Sequence, residues 1–175
     1  MKKYLALLLL LPLLGFGARL VYGQFGATNA IDILPPTTLV SPIPSSQQTI
    51  GLTALRPTGV SLKAYRRAMA VVQVNTAASA GSLDVYLQAS PDCGMCWQDF
   101  AHVHATGAGT FHVPISLHGD GGNYPTTVLA MNDGTLANGV IIPYLIGDKV
   151  RVKYNATFNV NATGAWSFHV FVIPD

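Results

Sequence analysis

Charge is scarce in this chain. Ten lysines and arginines and eight acidic residues among 175 make up 10% of the sequence, where an average soluble protein carries about a quarter. The formal net charge of +2 is too small to argue for nucleic acid or an anionic membrane surface as a partner. Lys63, Arg66 and Arg67 form only a small local cluster. Cysteine is scarcer still: Cys93 and Cys96 are the only two, and there is no second CxxC to complete a four-cysteine zinc site. No GxSxG elbow is present, and no stretch is convincing as an amphipathic helix. Low charge does not mean disorder here. Half the residues are apolar, whereas disordered chains combine low hydrophobicity with high net charge.

Glycine and proline, by contrast, are plentiful, at 17 and 11. A weakly charged chain rich in turn residues suits a subunit that buries surface in an assembly, or a secreted all-β module. One domain with a sizeable core is expected at this length. Met1-Lys2-Lys3 followed by an apolar run from Tyr4 to Gly17 has the layout of a secretory signal. Residues 1–23 are read as a signal peptide or hydrophobic anchor, with cleavage after Gly23 favoured. Pro12 interrupts the run and Arg19 ends it short of the ~20 residues a membrane span needs. If uncleaved, that segment is the only membrane contact expected. Residues 24–50 hold Pro35, Pro36, Pro42 and Pro44 and the polar run Ser45 to Gln48, and are expected to form an extended arm or linker.

Residues 51–175 read as strands and turns. Lys63 to Asn75 favours strand at its Val71-Val72-Gln73-Val74 end. Leu83, Val85 and Leu87 alternate with Asp84, Tyr86 and Gln88, and a second β-rich run ends at Val103, so Ser82 to Val103 is expected to be a hairpin. A further hairpin is expected across Thr106 to Gly109, returning along Phe111 to Leu117. Thr126 to Met131 and the Pro143-bent Val140 to Ile146 are candidate short strands. Lys149, Arg151 and Lys153 alternate strictly with Val150, Val152 and Tyr154, and Trp166 to Ile173 alternates Trp, Phe and Val with more polar residues. The fold expected is an antiparallel β-sandwich, jelly-roll-like.

The hairpin also holds the chemistry-bearing residues. A redox CxxC needs a helix to activate its thiolate, and none follows Cys96. The pair is therefore read as a structural disulfide or paired thiols in the turn. The competing reading is a mixed metal site, in which Cys93 and Cys96 are joined by His102 and His104, two apart on one strand, with His112 across the second hairpin if the register allows. Ser116, His118 and Asp120 are close in sequence but lack the context of a catalytic triad. Asp120, Asn123, Asp133 and Asp148 lie in glycine-rich turns without EF-hand spacing. Asn155-Ala156-Thr157 and Asn161-Ala162-Thr163 fit the glycosylation sequon. No catalytic residue and no cofactor is expected.

Four segments, taken in order, carry a resemblance: Asp84 to Gln88 (DVYLQ) with Asp92 and Trp97, then Asp133 to Leu136 (DGTL), then Gly147 to Tyr154 (GDKVRVKY), then a final aromatic strand. From Val60 to Asp175 the chain resembles small β-sandwich structural proteins of tailed phages and prophages. That resemblance implies a non-enzymatic virion protein, acting as a homo-oligomer or within a lattice of virion proteins. Two features depart from the pattern: the CxxC, where a plain glycine-rich turn is usual, and the export-like residues 1–23. The alternative they support is an exported binding or adhesion module that recognises a surface glycan or protein.

Overall fold

The sequence contains no glutamate, and its periodic segments repeat every two residues rather than every 3.6, so no helix face is on offer. The computed structural model describes residues 30–40, 48–65, 67–90, 94, 96–116, 133–142, 147 and 149–174, with backbone alone for 48–58 and 116. All the regular elements among these are strands: β1 (Ile31–Val40), β2 (Gln48–Ser61), β3 (Arg67–Thr76), β4 (Gly81–Ser90), β5 (Gln98–Ala105), β6 (Gly109–Ser116), β7 (Lys149–Phe158) and β8 (Ala165–Pro174).

They form two four-stranded sheets, ordered β1-β8-β3-β6 and β2-β7-β4-β5, with every pairing antiparallel. The two sheets pack as a β-sandwich. β7 sends Val150, Val152, Tyr154, Ala156 and Phe158 inward, and β8 answers with Trp166, Phe168, Val170 and Val172. Across the gap the Tyr154 ring meets Phe168 edge-on, 5.2 Å between centroids and 75° between planes, a geometry the ring quadrupoles favour. Trp166, Phe158 and Phe168 are the largest fully buried side chains. Each contributes roughly 1.5–3 kcal/mol by leaving water.

The segment expected as an arm takes part in both sheets. Ile33 and Leu34 of β1 lie in the core, and β2 begins at Gln48, ahead of the expected domain boundary at Gly51. Proline did not prevent this, because β1 is an edge strand and Pro35-Pro36 falls where its register with β8 slips, between Leu34 and Thr37. An edge bulge is where a strand tolerates a residue without an N–H.

The second expected hairpin is also corrected. β5 belongs to one sheet and β6 to the other, so the Thr106 to Gly109 connection crosses between sheets instead of folding back in one. His112 on β6 is consequently not across from His102 and His104. The Ser82 to Val103 hairpin does form, β4 pairing with β5. Segment 137–142 covers the free edge of β5: Gly139 N–H donates to His102 O, His102 N–H to Val140 O, and Ile142 N–H to Phe100 O at 2.7 Å. The candidate strand at 126–131 and the residues of the expected signal lie outside the described residues.

Candidate functional site

The site candidates sit on the outer face of the β2-β7-β4-β5 sheet. Leu83, Val85, Leu87 and Ala89 of β4 are core residues, which sends Asp84, Tyr86 and Gln88 outward. Ala101, Val103 and Ala105 do the same for His102 and His104 on β5. Arg151, Lys153 and Asn155 face outward from β7. Register then assembles three rows: Asn155–Asp84–His104, Lys153–Tyr86–His102 and Arg151–Gln88–Asp99.

Asp84 ties the first two rows together. Its Oδ1 is 3.0 Å from His102 Nε2 and 2.6 Å from His104 Nδ1. His102 is buried and His104 is a third exposed, at 7% and 34%. Tyr86 stacks on the His102 ring, 4.2 Å between centroids and 16° from parallel, fixing the plane of the imidazole. Burial first, then the charges of Asp84 and Asp99, push the Tyr86 phenol above its ordinary value. His102 Nδ1 is buried without a hydrogen-bond partner, so the ring's tautomer is decided at Nε2 alone. A cavity beside β5 reaches His102 and His104 and is bounded also by Phe111, His112, Asn138 and Ile141.

The third row is a closed network. Gln88 and Asp99 are fully buried. Gln88 Nε2 donates to Asp99 Oδ1 at 2.7 Å and to Asp133 Oδ1 at 2.8 Å, while its Oε1 accepts from Arg151 Nε at 2.7 Å. Asp99 Oδ2 accepts three backbone N–H groups, from Gly134, Thr135 and Leu136, at 2.8, 3.0 and 3.1 Å. Lys153 Nζ donates to Asp133 at 2.8 Å, and the Arg151 guanidinium lies 4.3 Å over the Trp97 ring. Two carboxylates face two cations, and both oxygens of Asp99 are taken. The network's role is to hold segment 133–137 against the sheet.

A bulge makes this row possible. Between Leu87 and Gln88 the register slips, leaving Phe100 unopposed and turned into the core. Strict alternation would have put Asp99 on the same side as Ala101. The extra residue turns it outward to meet Gln88.

Of the residues expected to bear chemistry, the structure brings His102 and His104 together and adds Asp84, which the sequence reading had not placed with them. Among the described residues these three form a group with metal-ligand spacing. Cys96 is exposed and precedes β5, whose first residue is already four strand rises from His102, about 13 Å at ~3.3 Å each. Cys96 is thus not part of the histidine group, and Cys93 lies outside the described residues, so the disulfide between them does too. His118 and Asp120 likewise fall outside. The two sequons separate clearly. Asn161 is exposed in the β7–β8 turn with φ 61°, whereas Asn155 has its Oδ1 buried in the sheet face.

Comparison with protein-family models, with curated proteins and with solved structures finds no match to this chain. The likeness to tailed-phage structural proteins rests on the quoted residues alone.

Proposed function

We propose that this chain is a non-enzymatic structural subunit of a phage-like particle, a jelly roll that works by self-association. The strand orders β1-β8-β3-β6 and β2-β7-β4-β5 suit a jelly roll, since that fold splits eight strands between two sheets in two Greek keys. The observation that carries the functional reading is the outer face of the β1-β8-β3-β6 sheet. There Ile173 pairs with Met69 and Met69 with Pro114, while Phe171 pairs with Val71 and Val71 with His112. Five of these six neighbouring outward positions are apolar; Val71 is already buried, and the other five residues are at least partly open. Ile173 is 41% exposed. Asp32 and His169 border the patch and hydrogen-bond to each other at 2.8 Å. A weakly charged face of this kind suits a second copy of the same chain, buried core to core and rimmed by polar residues.

On this reading the subunit belongs to a virion, or is exported if residues 1–23 are removed. Sedimentation velocity of the purified protein over a range of concentrations tests it. The expected result is an assembly that dissociates when Met69→Asp and Ile173→Asp are combined. A wild-type protein that remains monomeric throughout overturns the reading.

A further inference from the structure

We propose that Asp84, His102 and His104 bind one divalent first-row transition cation, of the Zn²⁺ class, on the outer face of the β2-β7-β4-β5 sheet. The inference is independent of self-association, which concerns the opposite face.

The donor set comes first. Two imidazole nitrogens and one carboxylate oxygen suit zinc, nickel, copper or ferrous iron, whereas Mg²⁺ and Ca²⁺ prefer oxygen throughout. The separations come next. Ligands about 2.1 Å from a tetrahedrally coordinated cation stand about 3.4 Å apart. His102 Nε2 and His104 Nδ1 are already 3.0 and 2.6 Å from Asp84 Oδ1, and all three donor atoms lie within 4.8 Å of one another. Widening those two separations by about 0.4 and 0.8 Å would bring them to the spacing of a tetrahedral site.

The site is also built to stay in place. Asp84 stands on β4, an interior strand paired on both sides, and register sets it directly across from His104. His102 is held by its stack on Tyr86 and by the backbone bonds that Gly139 and Val140 make to its peptide groups. His104 is the exposed member. The cavity beside β5 reaches both histidines, which gives a cation a way in and leaves the remaining coordination positions to water or to a ligand from outside. One nitrogen of each imidazole lies within hydrogen-bond distance of the same carboxylate oxygen. To hold a cation, each neutral ring carries its one N–H on the nitrogen away from Asp84, Nδ1 in His102 and Nε2 in His104, and the three groups then donate one lone pair each.

The test is isothermal titration calorimetry of the full chain, treated with chelator and then titrated with Zn²⁺ or Mg²⁺. One Zn²⁺ per chain is expected and no Mg²⁺. His104→Ala, at an exposed position that should leave the fold intact, is expected to weaken Zn²⁺ binding by about a hundredfold or more, since losing even a partner outside the ligand set costs about 10–100-fold. Asp84→Asn should act in the same direction. The double variant Cys93→Ser/Cys96→Ser should bind as tightly as the wild type, and the Co²⁺-loaded protein should show no thiolate charge-transfer band. Undiminished binding in His104→Ala, or loss of binding in the double cysteine variant, overturns the proposal.

Discussion

The two outer faces of this sandwich are built from the same alternation and end up with opposite chemistry. On the β2-β7-β4-β5 side, outward positions hold Asp84, Tyr86, Gln88, Asp99, His102, His104, Arg151 and Lys153, and segment 133–142 lies against them, held by Asp99 and by the edge of β5. On the β1-β8-β3-β6 side, the central outward positions hold Met69, Val71, Pro114, Phe171 and Ile173. Most polar groups on one face satisfy each other within the chain, His102 Nδ1 and Asn155 Oδ1 being exceptions. On the other, Val71 is already buried within the chain, whereas the open parts of Met69, Pro114, Phe171 and Ile173 can leave water only against a second surface. The closed face therefore contributes to folding, and the open one is the surface on which the proposed self-association rests.

Substitutions can break that division, and the largest effect is expected on the closed face. Asp99→Ala leaves Gln88 and three backbone N–H groups short of an acceptor in a buried setting. It should lower stability by about 3–5 kcal/mol, read from the midpoint of urea unfolding. A loss below about 1 kcal/mol would mean that segment 133–137 is not held by this carboxylate.

Alkaline pH should weaken the core between the faces and spare neither. Burial raises the Tyr154 phenol above its ordinary value of 10.0, so the folded state holds that proton more tightly than the unfolded chain does. The contribution is fully present below the unfolded value and is lost as pH rises through the folded one. Unfolding midpoints measured across that range should fall in the wild type and fall less steeply in Tyr154→Phe. Equal slopes would remove Tyr154 from the account.

On the open face, Ile173→Asp should change the stability of the isolated subunit by less than about 1 kcal/mol, yet shift its sedimentation toward monomer. A large loss of stability instead would mean that this face serves folding as well. The smallest effect is expected from Asp133→Asn. The hydrogen bond from Lys153, helped by Gln88 and by the charges of Lys153 and Arg151, holds the Asp133 carboxyl below its ordinary value, with burial opposing. Its contribution is present above the unfolded carboxylate value and lost as pH falls through the lower folded one. Because the side chain is more than half exposed, solvent reduces this to about 0–1 kcal/mol. The acid limb of the stability curve should flatten slightly in the variant, and an unchanged limb would dismiss the interaction.

The sequence by itself determined the strand character of most of the chain. β7 and β8 coincide closely with their alternating runs, and the hairpin of β4 and β5 is legible from period-2 patterning and a turn, because both signals are local. Pro35 and Pro36 misled for the same reason: a local rule says that proline breaks strands, and only the place of β1 at a sheet edge, with a bulge, made those residues compatible with it. The turn at Thr106 to Gly109 reads identically whether the next strand folds back or crosses to the other sheet, and the tertiary structure chose crossing. His102 and His104 were recognisable as neighbours two residues apart. Asp84 was not recognisable as their partner, since pairing across a hairpin depends on register, and one bulged residue at Phe100 changes which side chains share a face below it. Composition and period thus set the fold class and the amount of apolar surface. Register, sheet order and the bulge decided which groups meet, because those are long-range contacts that no local pattern specifies.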